Sequence, residues 1–291
     1  MRTRPLGPDA PDVSVIGFGG MPLSLSERPA EPQGISVIHA ALDAGMTFID
    51  TANVYCRDDR DIGHNERLIA QALASWPGDK DPIVVASKGG LTRPGGRWER
   101  DGHPAHLRTA CERSLMAMGV DHIDLYQLHA PDPAVPFAES VGAIADLKRE
   151  GKVRWVGLSN VSVAEIKTAQ EIVDVVTVQN RLNPFFREAL DTGVVKYCDD
   201  RGIGFLAYSP VGGGRLNKKL PDHLTLAPIA QKHSASTHAV VLAWVLARGP
   251  SVIAIPGART VPHAVDSAGA ADLVLDADDM GAIDAAGFSI D

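Results

Sequence analysis

A chain of 291 residues, 45% of them hydrophobic, can bury a large core as one large domain or two small ones. The formal net charge of −8, with no basic cluster to offset it, argues against a nucleic-acid-binding surface. The three cysteines are far apart and form no Cys-x-x-Cys pair, so neither a disulfide framework nor a metal site is expected. No apolar run is long enough for a signal peptide or a membrane span. We therefore expect a cytoplasmic protein whose partners are small molecules rather than nucleic acids or membranes.

Strand-like apolar runs alternate with helical patterns along the whole chain. The first run, residues 13–17, leads into a glycine-rich turn, and a helical pattern follows at 34–44. Further strands are predicted at 47–50, 83–87, 123–128, 153–159, 175–179, 203–208 and 252–255. Helices are predicted near 65–75, 105–118, 137–150, 162–171, 187–200, 226–247 and 261–271.

Eight strands that alternate with helices must be parallel and joined by right-handed crossovers. This leaves an open doubly wound sheet or a closed (β/α)8 barrel. The open sheet predicts a complete Gly-x-Gly-x-x-Gly turn after the first strand, and residues 17–22 do not complete one. The pattern therefore favours an α/β protein with a single (β/α)8 TIM barrel domain over residues 1–291.

Polar residues end three consecutive predicted strands: Asp50, Lys88 and His129. In a barrel the carboxyl ends of the strands face the same side, so these residues should converge near Tyr55. A nearby ammonium is expected to lower the pKa of Tyr55 from about 10, with Asp50 holding Lys88 charged. Tyr55 would then act as a general acid, and a neutral His129 would orient the oxygen that receives the proton.

Two long inserts follow the second and third predicted strands, at 56–63 and 89–103. Because they lie on the same face as the strand ends, we expect them to enclose a substrate. The charged residues Arg57 to Asp61 and the aromatic Trp98 are the expected determinants of substrate choice. Sugars, small aldehydes, vitamin aldehydes and keto acids or esters all remain open.

The end of the chain offers a place for a phosphate-bearing cofactor. Backbone N–H groups of the glycine run from Val211 to Arg215 can approach a pyrophosphate. The turn from Pro256 to Thr260 enters a helix whose N-terminus favours an anion, with Thr260 as a plausible N-cap. The planar fork of Arg259 suits a phosphate monoester, such as that on the ribose of NADP.

Several motifs occur together and in order along the chain. They are Phe-Ile-Asp-Thr-Ala-Asn-Val-Tyr at 48–55, Gly-His-Asn-Glu at 63–66, Ser-Lys at 87–88, Asp-Leu-Tyr-Gln-Leu-His at 124–129, Gly-Lys-Val-Arg at 151–154, Gly-Leu-Ser-Asn at 157–160 and Ile-Pro-Gly-Ala-Arg-Thr at 255–260. Over essentially its whole length the sequence resembles the aldo-keto reductase family, and its short C-terminal tail resembles the bacterial members. The resemblance implies a (β/α)8 barrel, NADPH bound in extended form, and a catalytic tetrad of Asp50, Tyr55, Lys88 and His129.

The resemblance also implies a set of cofactor contacts. Ser159, Asn160 and Gln179 would hold the carboxamide of the nicotinamide, Tyr208 would stack on its ring, and Arg259 would meet the 2′-phosphate. The remaining candidate contacts are Ser209, Gly212, Gly213, Arg215, Gly257, His263 and Ser267. His263 stands where the family usually has glutamine and Ser267 where it usually has asparagine, so NADPH is predicted with NADH also open.

The predicted activity is reduction of an aldehyde or ketone to an alcohol by hydride transfer, or the reverse oxidation, with Tyr55 as the general acid. Two alternatives use the same residues. A barrel lyase could form a Schiff base on Lys88. A redox-sensing subunit could hold NADPH with little turnover.

Overall fold

The computed structural model describes residues 1–291, and its centre is a barrel of eight parallel strands. Each barrel strand pairs with the next one along the chain. The barrel strands are β3 (Phe18–Gly19), β4 (Phe48–Asp50), β5 (Val84–Gly89), β8 (Ile123–Leu128), β9 (Val153–Ser159), β10 (Val175–Arg181), β11 (Gly204–Tyr208) and β12 (Val252–Ile255). The predicted (β/α)8 fold is therefore confirmed.

Backbone hydrogen bonds close the barrel between its first and last strands. Gly17 N–H donates to the Ala254 carbonyl at 2.8 Å, and Gly19 N–H donates to the Pro256 carbonyl at 2.9 Å. A Cβ on Gly19 would lie 2.7 Å from the Ile255 carbonyl oxygen, so only glycine permits this close approach.

Two antiparallel hairpins lie outside the barrel. The first, β1 (Thr3–Pro5) with β2 (Asp12–Ser14), belongs to the N-terminus, and the second, β6 (Leu91–Thr92) with β7 (Glu99–Arg100), belongs to the insert after β5. The sequence analysis missed the first hairpin and assigned residues 13–17 to the first barrel strand. That prediction was wrong because the apolar run is shared between β2 and the entry to β3.

Helices surround the barrel between successive strands. They are α1 (Glu31–Asp43), α2 (His64–Ser75), α3 (Pro104–Met118), α4 (Phe137–Arg149), α5 (Val163–Gln170), α6 (Glu188–Asp191), α7 (Val194–Arg201), α8 (Gly213–Leu216), α9 (Leu226–Lys232), α10 (Thr237–Leu246), α11 (Val261–Gly269) and α12 (Ala277–Ala285). The long helices predicted at 187–200 and 226–247 are each divided into two. None of the helices combines the length and apolar character that crossing a membrane requires.

Period-two alternation along the strands fills the barrel interior in layers. Phe48, Ala86 and Leu125 belong to one buried apolar cluster that also includes Leu6 and Val13 beside the N-terminal hairpin. Two residues further along their strands, on the same face, stand Asp50, Lys88 and Gln127, all buried. The apolar layer thus ends in a polar layer at the carboxyl end of the barrel.

Candidate active site

A buried ion pair lies at the centre of the polar layer. Lys88 Nζ is 2.7 Å from both carboxylate oxygens of Asp50, and it donates to the Thr51 carbonyl at 2.8 Å. It is also 3.1 Å from the hydroxyl of Tyr55. Lys88 is fully buried and Tyr55 is 6% exposed, so solvent screens these contacts little. The ammonium therefore links the carboxylate directly to the tyrosine.

Two glutamine amides complete the surroundings of the carboxylate. Gln179 Nε2 donates to Asp50 Oδ1 at 2.7 Å, and Gln127 Nε2 reaches the same oxygen at 3.4 Å. Burial lowers the pKa of Lys88, and the charge and hydrogen bonds of Asp50 beside it oppose that shift. Gln127 was not predicted as a site residue, because its contact with Asp50 depends on how side chains of β4 and β8, which lie on either side of β5, meet inside the barrel.

The pKa of Tyr55 shifts in the direction opposite to the sequence expectation. Burial raises it well above its ordinary value, and the negative charge of Asp50 and the neighbouring Tyr208 add to the shift. The prediction that Lys88 lowers this pKa was wrong, because desolvation of a phenolate in a fully enclosed position outweighs the nearby ammonium. Tyr55 therefore keeps its proton in the ligand-free protein.

His129 packs edge-on against Tyr55, with ring centroids 5.8 Å apart. Burial lowers the pKa of its imidazole well below the ordinary value, and the Lys88 charge lowers it further. The ring is therefore neutral at physiological pH, as the sequence analysis expected. Its Nδ1 atom is buried and has no hydrogen-bond partner.

Two strand ends across the barrel have residues in the left-handed backbone region. Asn160, after β9, has φ of 59°, and Ser209, after β11, has φ of 48°. Such conformations are uncommon for residues with a side chain and cluster at functional sites. Asn160 donates to the His129 carbonyl at 2.9 Å and accepts from the Tyr208 hydroxyl at 2.8 Å. Asn160 therefore joins the tetrad side of the barrel mouth to the end of β11.

Ser159 and Gln179 complete this group of predicted cofactor contacts. Both are buried, and Ser159 Oγ accepts from Asn160 Nδ2 at 3.1 Å. The side-chain nitrogen Nε2 of Gln179 already donates to Asp50, while its side-chain oxygen Oε1 accepts no hydrogen bond from the protein. The structure thus brings Ser159, Asn160, Gln179 and Tyr208 beside the tetrad.

The two inserts meet above Tyr55 through Arg93. Its Nη2 donates to the Cys56 and Arg57 carbonyls, both at 3.2 Å, and its guanidinium lies 3.9 Å from the centroid of the Trp98 ring. The Trp98 ring packs edge-on against both Tyr55 and His129, with centroids 6.4 and 6.5 Å apart. Trp98 therefore packs directly against two members of the tetrad. Arg93 escaped the sequence analysis because nothing in its local pattern distinguishes it from other loop arginines.

The glycine run after β11 forms the short helix α8. Gly212 and Gly213 have φ of 91° and 74°, a region that glycine enters without strain. Arg215, a predicted cofactor contact, donates instead to the carbonyl of Ile290 at the C-terminal end of the chain. This segment is not in direct contact with the tetrad.

The turn between β12 and α11 holds the last predicted contacts. Gly257 lies against Pro22, where an added Cβ would come within 2.5 Å of the ring. The N-cap residue Thr260 gives α11 no side-chain hydrogen bond. His263 is exposed on α11, and Ser267 lies one turn further along it. Arg259 forms an ion pair with Glu27, a residue that the sequence analysis did not consider.

Comparisons with known proteins agree with this architecture. Residues 15–287 match the profile described as "Aldo/keto reductase family". An uncharacterized oxidoreductase of Schizosaccharomyces pombe is 34% identical over 96% of this chain and 88% of its own length. A probable aldo-keto reductase of Glycine max is 33% identical over 94% of this chain and 86% of its own length.

Two solved structures of bacterial proteins are also similar. A glycerol dehydrogenase of Gluconobacter oxydans superimposes with a TM-score of 0.83 at 30% identity, covering 97% of this chain and 93% of that one. An aldo-keto reductase of Klebsiella pneumoniae, solved with NADP and acetate, gives a TM-score of 0.81 at 28% identity over 97% of this chain and 94% of that one. The chain belongs to the aldo-keto reductase family.

Proposed function

We propose that the protein is a nicotinamide-dependent carbonyl reductase that uses NADPH and accepts NADH. The observation that carries the proposal is the buried contact of Lys88 Nζ with Asp50 at 2.7 Å and with the Tyr55 hydroxyl at 3.1 Å. This arrangement places a protonated phenol next to a fixed positive charge at the mouth of the barrel. It suits the delivery of a proton to an oxygen that gains negative charge.

The bound cofactor would supply the hydride to the carbonyl carbon of the substrate. Tyr55 would donate its proton to the carbonyl oxygen, and Lys88 would stabilise the phenolate that remains. Asp50, held by Gln179, would keep Lys88 charged and in position. Neutral His129 beside Tyr55 would orient the carbonyl oxygen. The same groups would run the reverse oxidation when the substrate is an alcohol.

Several observations support a nicotinamide cofactor in this barrel. Asn160 and Ser209 have strained backbones at the ends of β9 and β11, on either side of β10, and the side-chain oxygen Oε1 of Gln179 accepts no hydrogen bond from the protein. The uncapped N-terminus of α11 and the glycines of α8 offer backbone N–H groups to phosphates. Related proteins of Klebsiella pneumoniae were solved with NADP and with NADPH. We assign Ser159, Asn160, Gln179 and Tyr208 to the nicotinamide end and Arg259, His263 and Ser267 to the adenosine end.

The surroundings of Lys88 argue against a Schiff-base lyase. An amine attacks a carbonyl only when it is unprotonated and free of other bonds. Lys88 instead donates to Asp50, Thr51 and Tyr55 inside a fully buried position. Treatment with borohydride in the presence of a carbonyl substrate is therefore expected to leave Lys88 unmodified, as mass spectrometry of the peptide would show.

The test of the proposed function is consumption of NADPH across a panel of carbonyl compounds, repeated with NADH. The panel includes sugars, small aliphatic and aromatic aldehydes, pyridoxal and keto esters. Repeated turnover with at least one class is the expected result. Tight binding of NADPH with no turnover on any class would contradict the proposal and favour a redox-sensing role.

A further inference from the structure

Glu27 lies beside Arg259, the residue that we assign to the 2′-phosphate of the cofactor. It lies in the connection between β3 and α1, and its carboxylate is 2.8 Å from Arg259 Nη1. The same Arg259 nitrogen donates to the Glu27 carbonyl at 3.2 Å. The charge of Lys218, which follows α8, also reaches Glu27 and lowers the pKa of its carboxyl group together with Arg259. Glu27 is therefore in direct contact with Arg259, the main source of positive charge at its carboxylate.

The ion pair changes what Arg259 can offer to a ligand. A guanidinium recognises a phosphate monoester best through two parallel N–H donors. Here Nη1 is already bonded to two oxygens of Glu27. Glu27 is 80% exposed and Arg259 is 42% exposed, so a ligand can approach both side chains from solvent. The 2′ position of a bound ribose would therefore meet a carboxylate as well as the arginine.

We propose that Glu27 is a specificity-determining residue that weakens the preference for NADPH over NADH. Its carboxylate competes with the 2′-phosphate for Arg259 and repels the phosphate charge of about −1.5 to −2. The same carboxylate can accept a hydrogen bond from the 2′-hydroxyl group of NADH. This inference rests on the proposed function, because it requires a nicotinamide dinucleotide whose adenosine end lies at Arg259.

The expected effect is moderate because the pair is exposed. Exposed ion pairs contribute at most about a few-fold to an equilibrium constant, and salt screens them. Replacing Glu27 by glutamine keeps the size of the side chain and removes its charge. The E27Q variant should bind NADPH about fivefold more tightly at low ionic strength. Its affinity for NADH should stay unchanged or fall.

The test compares dissociation constants of NADPH and NADH for the wild type and E27Q, measured by quenching of tryptophan fluorescence without a carbonyl substrate. Glu31→Gln is the matched control, because it removes the same charge from a nearby carboxylate that contacts His64 instead of Arg259. A changed NADPH to NADH ratio in E27Q alone would support the inference. In the background Arg259→Gln, the E27Q substitution should lose the part of its effect that comes from competition for Arg259 and keep only the part that comes from direct repulsion of the phosphate.

Equal ratios in the wild type and E27Q would overturn the role of Glu27. The same shift in Glu31→Gln would also overturn it, because the effect would then reflect net charge and not the contact with Arg259. Failure of the proposed function gives a different result. In that case the wild type itself would bind neither cofactor, or it would bind NADPH without turning over any carbonyl compound of the panel.

Discussion

The two ends of the candidate site are built in different ways. At the tetrad end, Asp50 and Lys88 are buried on neighbouring strands and bonded to each other, and Asp50 also accepts from Gln179. At the proposed adenosine end, Arg215 lies in the short helix α8 and Arg259 in a turn, and they donate to oxygens of Ile290 and Glu27. The tetrad end is thus organised before any ligand binds, whereas the adenosine end has internal contacts that a ligand must replace.

The difference follows from the cost of burying charge. A buried ion pair is retained only with good geometry and further hydrogen bonds, so the strands must hold its members rigidly. For an exposed arginine, the exchange of one ion-pair partner for another costs little free energy. We therefore expect the tetrad end to carry out the chemistry and the adenosine end to set the preference between NADPH and NADH.

The largest effect on activity is expected when the buried positive charge of Lys88 is removed from the tetrad end. Lys88→Met should lower kcat by about a thousandfold, because Tyr55 loses the ammonium that stabilises its phenolate. Steady-state rates with the best substrate of the panel measure this effect. Because an unpaired buried Asp50 also destabilises the fold, the double variant Asp50→Asn, Lys88→Met serves as the control.

The double variant should recover thermal stability without recovering activity. Recovery of both would mean that Lys88 acts only in folding. A wild-type rate in Lys88→Met would show that catalysis does not depend on the ion pair between Asp50 and Lys88.

Substitution of Trp98 is expected to have a smaller effect on activity than substitution of Lys88. Trp98 lies on a loop, but its ring contacts the tetrad. It is 46% exposed and packs on Arg93, Tyr55 and His129. Trp98→Ala should lower kcat/KM about tenfold for bulky carbonyl substrates through a less confined binding mode. The matched control is Trp76→Ala, at the end of α2, where the indole bonds to Asp43. Equal losses in the two variants would place the effect in folding.

The smallest expected effect is that of pH on proton delivery. The raised pKa of Tyr55 keeps its proton at alkaline pH, and the lowered pKa of His129 keeps the imidazole neutral at mildly acidic pH. Single-turnover reduction should therefore vary less than about twofold between pH 6 and pH 9. Burial lowers the pKa of Lys88, so an alkaline loss of rate with a midpoint below pH 9 would mean that Tyr55 or Lys88 loses its proton in this range and would contradict the expected flat profile.

The parts of the protein in which strand-like and helical patterns alternate regularly were predictable from the sequence. β8, β9 and β12 have the predicted bounds, because each coincides with a short, largely apolar run that has polar segments on both sides. The convergence of Asp50, Lys88, Tyr55 and His129 followed from parallel strands that end on one face. The N-terminal hairpin was not predictable, because Thr3–Pro5 has no strand pattern and acquires its structure by pairing with Asp12–Ser14.

Long-range pairing also explains what was missed at the site. The contacts of Arg93 with the Cys56 carbonyl and of Glu27 with Arg259 join residues from separate loops that have no periodic signal. The Tyr55 pKa depends on how completely the site is enclosed, which local sequence does not encode. The sequence therefore predicts which groups meet at the tetrad end but not how burial and neighbouring charges shift their pKa values.

The most direct test of the account is hydride transfer in Tyr55→Phe. This substitution removes one hydroxyl and preserves the ring that packs against His129 and Trp98. NADPH should bind to the variant with nearly wild-type affinity, while single-turnover reduction of the best substrate should fall by about a thousandfold or more. A rate within a few-fold of the wild type would contradict the assignment of Tyr55 as the proton donor.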